Sequence, residues 1–260
     1  MAGLSNHNLA DEADMPELYL NLIQTVFNGD LNGIHIPTAI EEAQSLMAKV
    51  FEGFGGDFST TQLGTPQYDQ LRHLETHIYQ FSGCKNYHQG RALQDALTAG
   101  GNIKTYPQWK NEAQQLLSSA WQGTWRQSEH VTTLQGSFNA ARWVDIKQHP
   151  QTLLRFEVAD AERACPICMG YNGLILPATH GFIKTCGGPL HFRCSCGWHR
   201  INEGAITPDD KLPSIEPIPR MFRTNLGEQG IIFPKNHPYF NDIPKDVKLQ
   251  VQSIIPKHNK

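Results

Sequence analysis

Cysteine and histidine are concentrated in one short stretch of the sequence. A Cys-Pro-Ile-Cys turn begins at residue 165, and a His-Phe-Arg-Cys-Ser-Cys segment begins at residue 191. A C-x-x-C turn directs two thiolates at one point, and a second chelating group returning from a hairpin completes the tetrahedral ligand set of structural zinc. The spacing therefore predicts a structural zinc site. The candidate metal ligands are Cys165, Cys168, His191, Cys194 and Cys196.

The spacing of these residues in the sequence does not decide which four of the five bind the ion. Cys165 and Cys168 should bind the ion with two of the three later candidates, and the sequence leaves open which two. Disulfides and uncoordinated cysteines are the alternatives, but a cysteine cluster in a reducing compartment favours metal. Glycines surround the cluster, so the loop has few apolar side chains to bury and should be disordered without its ion. These glycines are Gly170, Gly173, Gly181, Gly187 and Gly188.

Enzyme signatures around the cluster are missing from the sequence. The nucleotide-deaminase pattern, a His-x-Glu followed by Pro-Cys-x-x-Cys, fails because Ala164 and not proline precedes Cys165. There is no HExxH, Gly-rich phosphate loop or G-x-S-x-G elbow. We therefore predict a protein that is not an enzyme. Two alternatives remain. The first is a zinc-dependent nuclease or hydrolase with His180 or His199 as base. The second is a zinc-bearing nucleic-acid binder using Lys184, Arg193 and Arg200.

The composition of the chain limits the cellular compartments and the partners that we expect. A net charge of -3 and a pI near 6.4 provide no general attraction to nucleic acid or to anionic membranes. No apolar run approaches the roughly 20 residues that span a bilayer, and the opening residues do not resemble a secretory signal. We expect a cytosol-like compartment, no membrane partner and no sequence-specific nucleic acid.

Apolar periodicity predicts that the half of the chain before residue 150 is helical. Gly83 should end the third helix, leaving Cys84 between it and the fourth. The last segment is one long helix or two abutting ones, with a bend or break at Gly123 or Gly136 because glycine disfavours helix interiors. The predicted helices cover about 15–27, 37–54, 65–82, 87–99 and 107–148.

The rest of the chain changes character. Residues 153–160 alternate like a strand, and prolines recur from Pro208 to Pro256, which disfavours long helices and predicts an extended strap or partial disorder. The predicted fold class is mainly α (α+β), with a zinc-stabilised β-hairpin or knuckle and an extended Pro-rich tail. The predicted divisions are an N-terminal helical segment (1–64), a helical core (65–150), a strand plus zinc knuckle (151–203) and the tail (204–260).

The stretch LRFEVADAERACPICMGYNGLILP, followed by GGPLHFRCSC, resembles the phage Mu F-like minor head proteins. The helices before it and the tail segment FRTNLGEQGIIFPKNHPYF are also similar to that family, especially to relatives from phages of Bacteroidetes-type hosts. The likeness runs from about residue 66 to residue 240. Ser195 and Phe192-Arg193 depart from the family's usual arginine and Pro-Asn. The matching positions are Asp160, Cys165, Cys168, Gly173, Pro177, Pro189, Leu190, His191, Cys194 and Cys196.

The resemblance implies a role in head morphogenesis. A minor head protein is present in few copies inside the procapsid, binds near the portal, and assists head assembly and DNA ejection. The implied partners are the phage portal protein and, further, the major capsid or scaffold protein. The implied location is the capsid interior of the virion, with host cytoplasm during assembly.

Overall fold

The computed structural model describes residues 16–101, 104–121, 123–159, 162 and 164–258. This part of the chain is mainly helical and contains nine α-helices and a small three-stranded antiparallel sheet. The predicted fold class is confirmed at that level. None of the described helices combines the length and the apolar character needed to cross a membrane.

Five helices form the first half. Pro66 occupies the first turn of α3, and the Thr65 hydroxyl caps that helix by accepting the Tyr68 N–H at 3.3 Å. The first two helices bury the faces that periodicity indicated, including Leu22 and Val50. The helices are α1 (Glu17–Phe27), α2 (Ile36–Phe54), α3 (Pro66–Thr98), α4 (Tyr106–Leu116) and α5 (Thr124–Gln148).

The prediction that Gly83 ends a helix is wrong. The third and fourth predicted helices are one continuous helix, α3, of 33 residues. A Cβ atom at Gly83 would lie 2.9 Å from the Cγ2 atom of Val251, so glycine permits a close approach of the tail here. Cys84 is a buried helix residue. Tertiary packing outweighs the roughly 1 kcal/mol that glycine costs inside a helix.

The segment after Pro107 forms two abutting helices, as one of the two alternatives predicted. A π-helical turn, Leu117–Trp121, follows α4, and Gly123 precedes α5. Gly136 lies inside α5 without a break. A Cβ atom there would lie 3.0 Å from Ile232 Cδ1, so this glycine makes room for the tail.

Gly53 lets α2 and α5 pack closely. A Cβ atom at this position would lie 2.3 Å from the backbone oxygen of Leu134 and 2.9 Å from the Cβ atom of Ser137. Backbone atoms cannot yield as a flexible side chain can. The sequence analysis did not single out this contact.

Gly53→Ala should therefore destabilise the protein, although alanine is the better helix former by about 1 kcal/mol. We expect the free energy of unfolding to fall by roughly 1–3 kcal/mol, as for other overpacked sites. Urea denaturation followed by circular dichroism measures the change. Gly181→Ala is the control, because a Cβ atom there meets no other atom within 4 Å. Equal stability of the Gly53 variant and the natural protein would contradict the close-packing argument.

A three-stranded antiparallel sheet follows the helices. The strands are β1 (Leu153–Glu157), β2 (Ile175–Pro177) and β3 (Gly197–Ile201), and their order is β2-β1-β3. Leu154 and Phe156 are buried, as the alternation predicted, but β1 ends at Glu157. Asp160 lies outside the described residues. The sheet is larger than the predicted β-hairpin or knuckle, because β1 is the central strand and pairs with two later strands that are far apart in sequence.

Short helices complete the chain, and the tail is not simply extended. Pro244 precedes α9, so this proline marks a helix start rather than preventing a helix. The tail also contributes buried side chains such as Phe233, which stacks on Phe81 with ring centroids 3.7 Å apart. The short helices are α6 (Pro166–Met169), α7 (Gly181–Thr185), α8 (Leu226–Gln229) and α9 (Lys245–Ser253).

Three hydrophobic clusters hold the described chain together. The bundle core joins α2 and α3 to tail residues such as Phe233 and Val251. A second core surrounds the three-stranded sheet, and we call this part of the protein the sheet module. Its core contains Trp198 and the five cysteines between residues 165 and 196. A third cluster packs α1 against α4 around Trp109. Because tail residues enter the first two clusters, the tail is part of both cores.

A buried group of charges, which we call the ion triad, links three helices. It consists of Glu42 in α2, Lys85 in α3 and Glu129 in α5. The Lys85 Nζ atom lies 2.7 Å from Glu129 Oε2 and 3.4 Å from Glu42 Oε1. Gln89 and Tyr19 also donate hydrogen bonds to Glu42. All three charged residues are less than a tenth exposed, so each depends on its partners for solvation.

Candidate metal centre

The first two candidate ligands belong to the start of α6. Cys165 is the N-cap residue, and its sulfur accepts the Cys168 backbone N–H at 3.4 Å. Pro166 suits the first turn because its missing N–H is not needed there. The turn brings the thiols of Cys165 and Cys168 to the same side. The C-x-x-C interpretation of this turn agrees with its geometry.

The other three candidates lie in the loop between α7 and β3. Arg193 adopts a left-handed backbone conformation, with φ of 61°, and its N–H donates to the Thr132 hydroxyl at 3.0 Å. The Arg193 guanidinium also donates to Gln127 at 2.9 Å. Both partners belong to α5. These contacts dock the loop on the helical half and place His191 and Cys194 on either side of the turn.

The five candidates form one Cys/His cluster with Cys168 in the middle. Cys165 Sγ lies 3.1 Å and Cys168 Sγ lies 3.3 Å from His191 Nε2, and the sulfurs of Cys168 and Cys194 are 3.6 Å apart. Two overlapping groups could each hold a metal ion. One is Cys165, Cys168 and His191, and the other is Cys168, Cys194 and Cys196.

These separations are close to those of a tetrahedral site. Zn–S bonds of about 2.3 Å and Zn–N bonds of about 2.0–2.1 Å place neighbouring ligand atoms roughly 3.5–3.8 Å apart. The three measured separations are equal to or slightly shorter than this range. Small outward shifts would bring the two thiols of the C-x-x-C turn to this distance from His191, whereas Cys194 or Cys196 would have to move inward, because neither joins the group of Cys165, Cys168 and His191. The cluster could thus hold a metal ion after small rearrangements.

The backbone of the next residue orients the histidine. His191 Nδ1 lies 2.7 Å from the carbonyl oxygen of Phe192, and this contact directs Nε2 towards the two thiols of the C-x-x-C turn. Metal-binding histidines commonly donate their second ring N–H in this way, because the bond fixes tautomer and orientation. The side chain is therefore aimed as a ligand.

The thiols cannot all ionise without a cation. Hydrogen bonds from Cys168 and Cys196 lower the pKa of Cys194, whereas the bond to Cys194 raises the pKa of Cys168. Burial opposes ionisation of Cys165, but hydrogen bonds from Cys168 outweigh it and lower its pKa. A bound cation would remove this competition, because each thiolate would then face positive charge.

Cys186, the remaining cysteine of the stretch, is not part of the cluster. Its side chain is fully buried, and burial raises the pKa of its thiol to about 12. Its carbonyl oxygen accepts the Trp198 indole N–H at 2.7 Å. Cys186 is therefore a core residue, and its backbone holds the tryptophan of β3.

The residues of the two alternative functions have other partners. His180 Nε2 lies 3.2 Å from Asp209, an Asp–His pair that the sequence did not reveal. The His199 ring lies 3.9 Å from Glu157. Arg200 pairs with Asp145 at 2.7 Å, and Lys184 is exposed. None of these four side chains belongs to the metal-ligand groups found among the described residues.

Comparison of the chain with protein-family models, with curated proteins and with solved structures found no match. The kind of site is therefore inferred from the positions of its residues alone. It is a Cys/His cluster able to hold a metal ion, located where the helical half meets the small sheet.

Proposed function

We propose that the chain is a minor head protein of a tailed bacteriophage and that a structural zinc ion closes its Cys/His cluster. The observation that supports this proposal most directly is the Cys/His cluster, which could hold a metal ion and lies where the sequence likeness to head-morphogenesis proteins is most specific. A set of thiolate and imidazole ligands favours zinc.

The shortest contacts define the ligand set of this proposal. Three short contacts join Cys165, His191, Cys168 and Cys194 in a chain, and these four would hold the ion. Cys194 and Cys196 both group with Cys168 and not with Cys165 and His191, so the fourth ligand has to move towards that pair when the ion binds. In this proposal Cys196 lies beside the ligand set and supports it.

A structural role fits this site better than a catalytic one. Four protein ligands leave no coordination position for a water molecule, which a catalytic zinc ion needs. The sulfur ligands are part of a hydrophobic core, where Cys168 and Cys194 are almost completely buried. When bound, the ion would join α6 to the loop that docks on α5, and so hold the sheet against the helical half.

The phage assignment rests on the likeness over about residues 66–240 together with the order of elements. Long helices come first, and the metal-ligand cluster follows. In this proposal the helical half provides the contact surface for the portal protein. The ion fixes the position of the sheet module, which follows the helical half in the chain. The chain would act inside the capsid near the portal.

The test is affinity capture of the tagged chain from phage-infected cells, followed by mass spectrometry. We expect the portal protein to be the main partner, with the major capsid or scaffold protein present in smaller amounts. A double variant, Cys165→Ser with Cys168→Ser, should lose the portal protein if the ion sets the geometry of the sheet module. Capture of nucleic-acid enzymes or nucleic acid without any head protein would contradict the proposal.

A further inference from the structure

A cavity of about 350 Å³, lined mainly by aromatic side chains, lies between α5, the loop that joins α7 to β3, and the tail. Its size is within the usual range of ligand pockets, roughly 300–1,000 Å³. We call it the aromatic cavity. Residues that line it include Trp125, Glu129, Phe192, His237, Pro238 and Tyr239.

Neighbouring rings hold the aromatic walls in place. Trp121 stacks on Tyr239 at 5.5 Å between centroids and meets Trp125 edge to face at 5.2 Å. Phe192 meets His237 edge to face at 5.8 Å. Two of the walls still present surface to solvent, since Trp125 is 47% and Phe192 is 37% exposed. The cavity is therefore preformed and open.

A carboxylate that is more than nine-tenths buried lies in its lining. Glu129 belongs to the ion triad, where two carboxylates share the single charge of Lys85, so the fully ionised triad carries one excess negative charge. None of the described residues that line the cavity is lysine or arginine. Burial lowers the pKa of His237 to about 4, so this ring is neutral at pH 7.

A second cleft beside Glu129 is much smaller. Arg126 and His130 line a narrow cleft of about 10 Å³ there, too small to admit a ligand group. The Arg126 charge lowers the pKa of Glu129, but burial has the larger effect and leaves that pKa raised. The aromatic cavity is the accessible side on which the excess charge of the triad can be matched.

We propose that the aromatic cavity binds an arginine side chain of a partner polypeptide. A guanidinium group stacks on a tryptophan face and donates to a carboxylate at the same time, which matches Trp125 and Glu129 in one cavity. The electron-rich faces of Phe192 and Tyr239 favour the same cation. This inference is independent of the proposed phage function, since it concerns a separate site and any partner that presents such a side chain.

The test uses the peptide acetyl-Ala-Arg-Ala-amide and its neutral isostere with citrulline in place of arginine. The full chain is titrated at pH 8, because burial raises the pKa of Glu129 to about 7 and the carboxylate is then ionised. The tryptophan indole N–H signals are followed by NMR. We expect saturable shifts with the arginine peptide and none with the citrulline peptide. The absence of saturation, or equal shifts from both peptides, would overturn the proposal.

Matched variants separate the cavity from general charge effects. Glu129→Gln should weaken arginine-peptide binding about tenfold or more, as expected for the loss of a charge-assisted contact. Glu42→Gln removes the excess charge of the ion triad but no group that lines the cavity, so it should weaken binding less than Glu129→Gln does. Trp125→Ala should abolish binding, whereas Phe138→Ala changes an exposed aromatic of the same helix and should not. Equal losses in the Glu129 and Glu42 variants would show that no local contact is made.

Discussion

Replacing Cys168 with serine should remove about one equivalent of zinc per chain and lower the melting temperature by on the order of 10 °C. Cys168 is the ligand common to both candidate metal groups, so its loss disrupts every set of four. Zinc stabilises small finger peptides by roughly 10–16 kcal/mol, and even a third of that would produce a shift of this size. Elemental analysis of the purified chain and differential scanning calorimetry measure the two effects.

Two further cysteine variants make this test specific. Cys186→Ala changes a fully buried thiol of the same hydrophobic core and should retain full zinc content. Cys196→Ser should also retain the ion, because Cys196 lies outside the proposed ligand set. Unchanged metal content in the Cys168 variant would refute the zinc proposal. Loss of zinc in the Cys196 variant would instead reassign the fourth ligand.

Replacing Lys85 with methionine should reduce the free energy of unfolding by about 3–5 kcal/mol at pH 8. The substitution leaves Glu42 and Glu129 buried without their cation. Burial raises the pKa of Glu129 to about 7 in the natural protein although Lys85 lowers it, so at pH 6 this carboxyl is largely protonated with or without Lys85 and has less charge to compensate. The loss of stability should therefore be smaller at pH 6 than at pH 8. Urea denaturation at the two pH values measures it.

The ion-triad prediction has a rescue and a control. Adding Glu42→Gln and Glu129→Gln to the Lys85 variant removes the uncompensated charges and should recover most of the lost stability. Lys49→Met breaks an exposed pair with Glu52, at 2.6 Å, and should cost less than about 1 kcal/mol. A Lys85 variant as stable as the Lys49 variant would mean that water reaches the triad.

Sequence reasoning was most successful where one local signal decides the outcome. The 3.6-residue period placed α1 and α2, and the Thr65-Pro66 pair placed the start of α3. The C-x-x-C spacing identified a turn whose two thiols the structure brings to one histidine. Each of these signals involves neighbours in the chain, so no knowledge of the tertiary fold was needed.

The errors have a common physical cause, which is that distant residues decide the local structure. Gly83 appeared to end a helix, but Val251 packs against it and the helix continues. The ion triad draws one residue from each of three helices, and no spacing within one helix indicates it. The sequence also could not choose two ligands among His191, Cys194 and Cys196, because a loop can turn any of these side chains inward.

The packing of the tail has a consequence for biosynthesis. Gln250 accepts the backbone N–H of Ile34, 216 residues away, and Phe233 covers Phe81 in the bundle core. A ribosome adds about 5–20 residues per second, so α2 and α3 leave it many seconds before these partners exist. During that interval apolar surface of the early helices remains uncovered. The nascent chain should therefore be most vulnerable to aggregation and proteolysis just before residue 250 emerges.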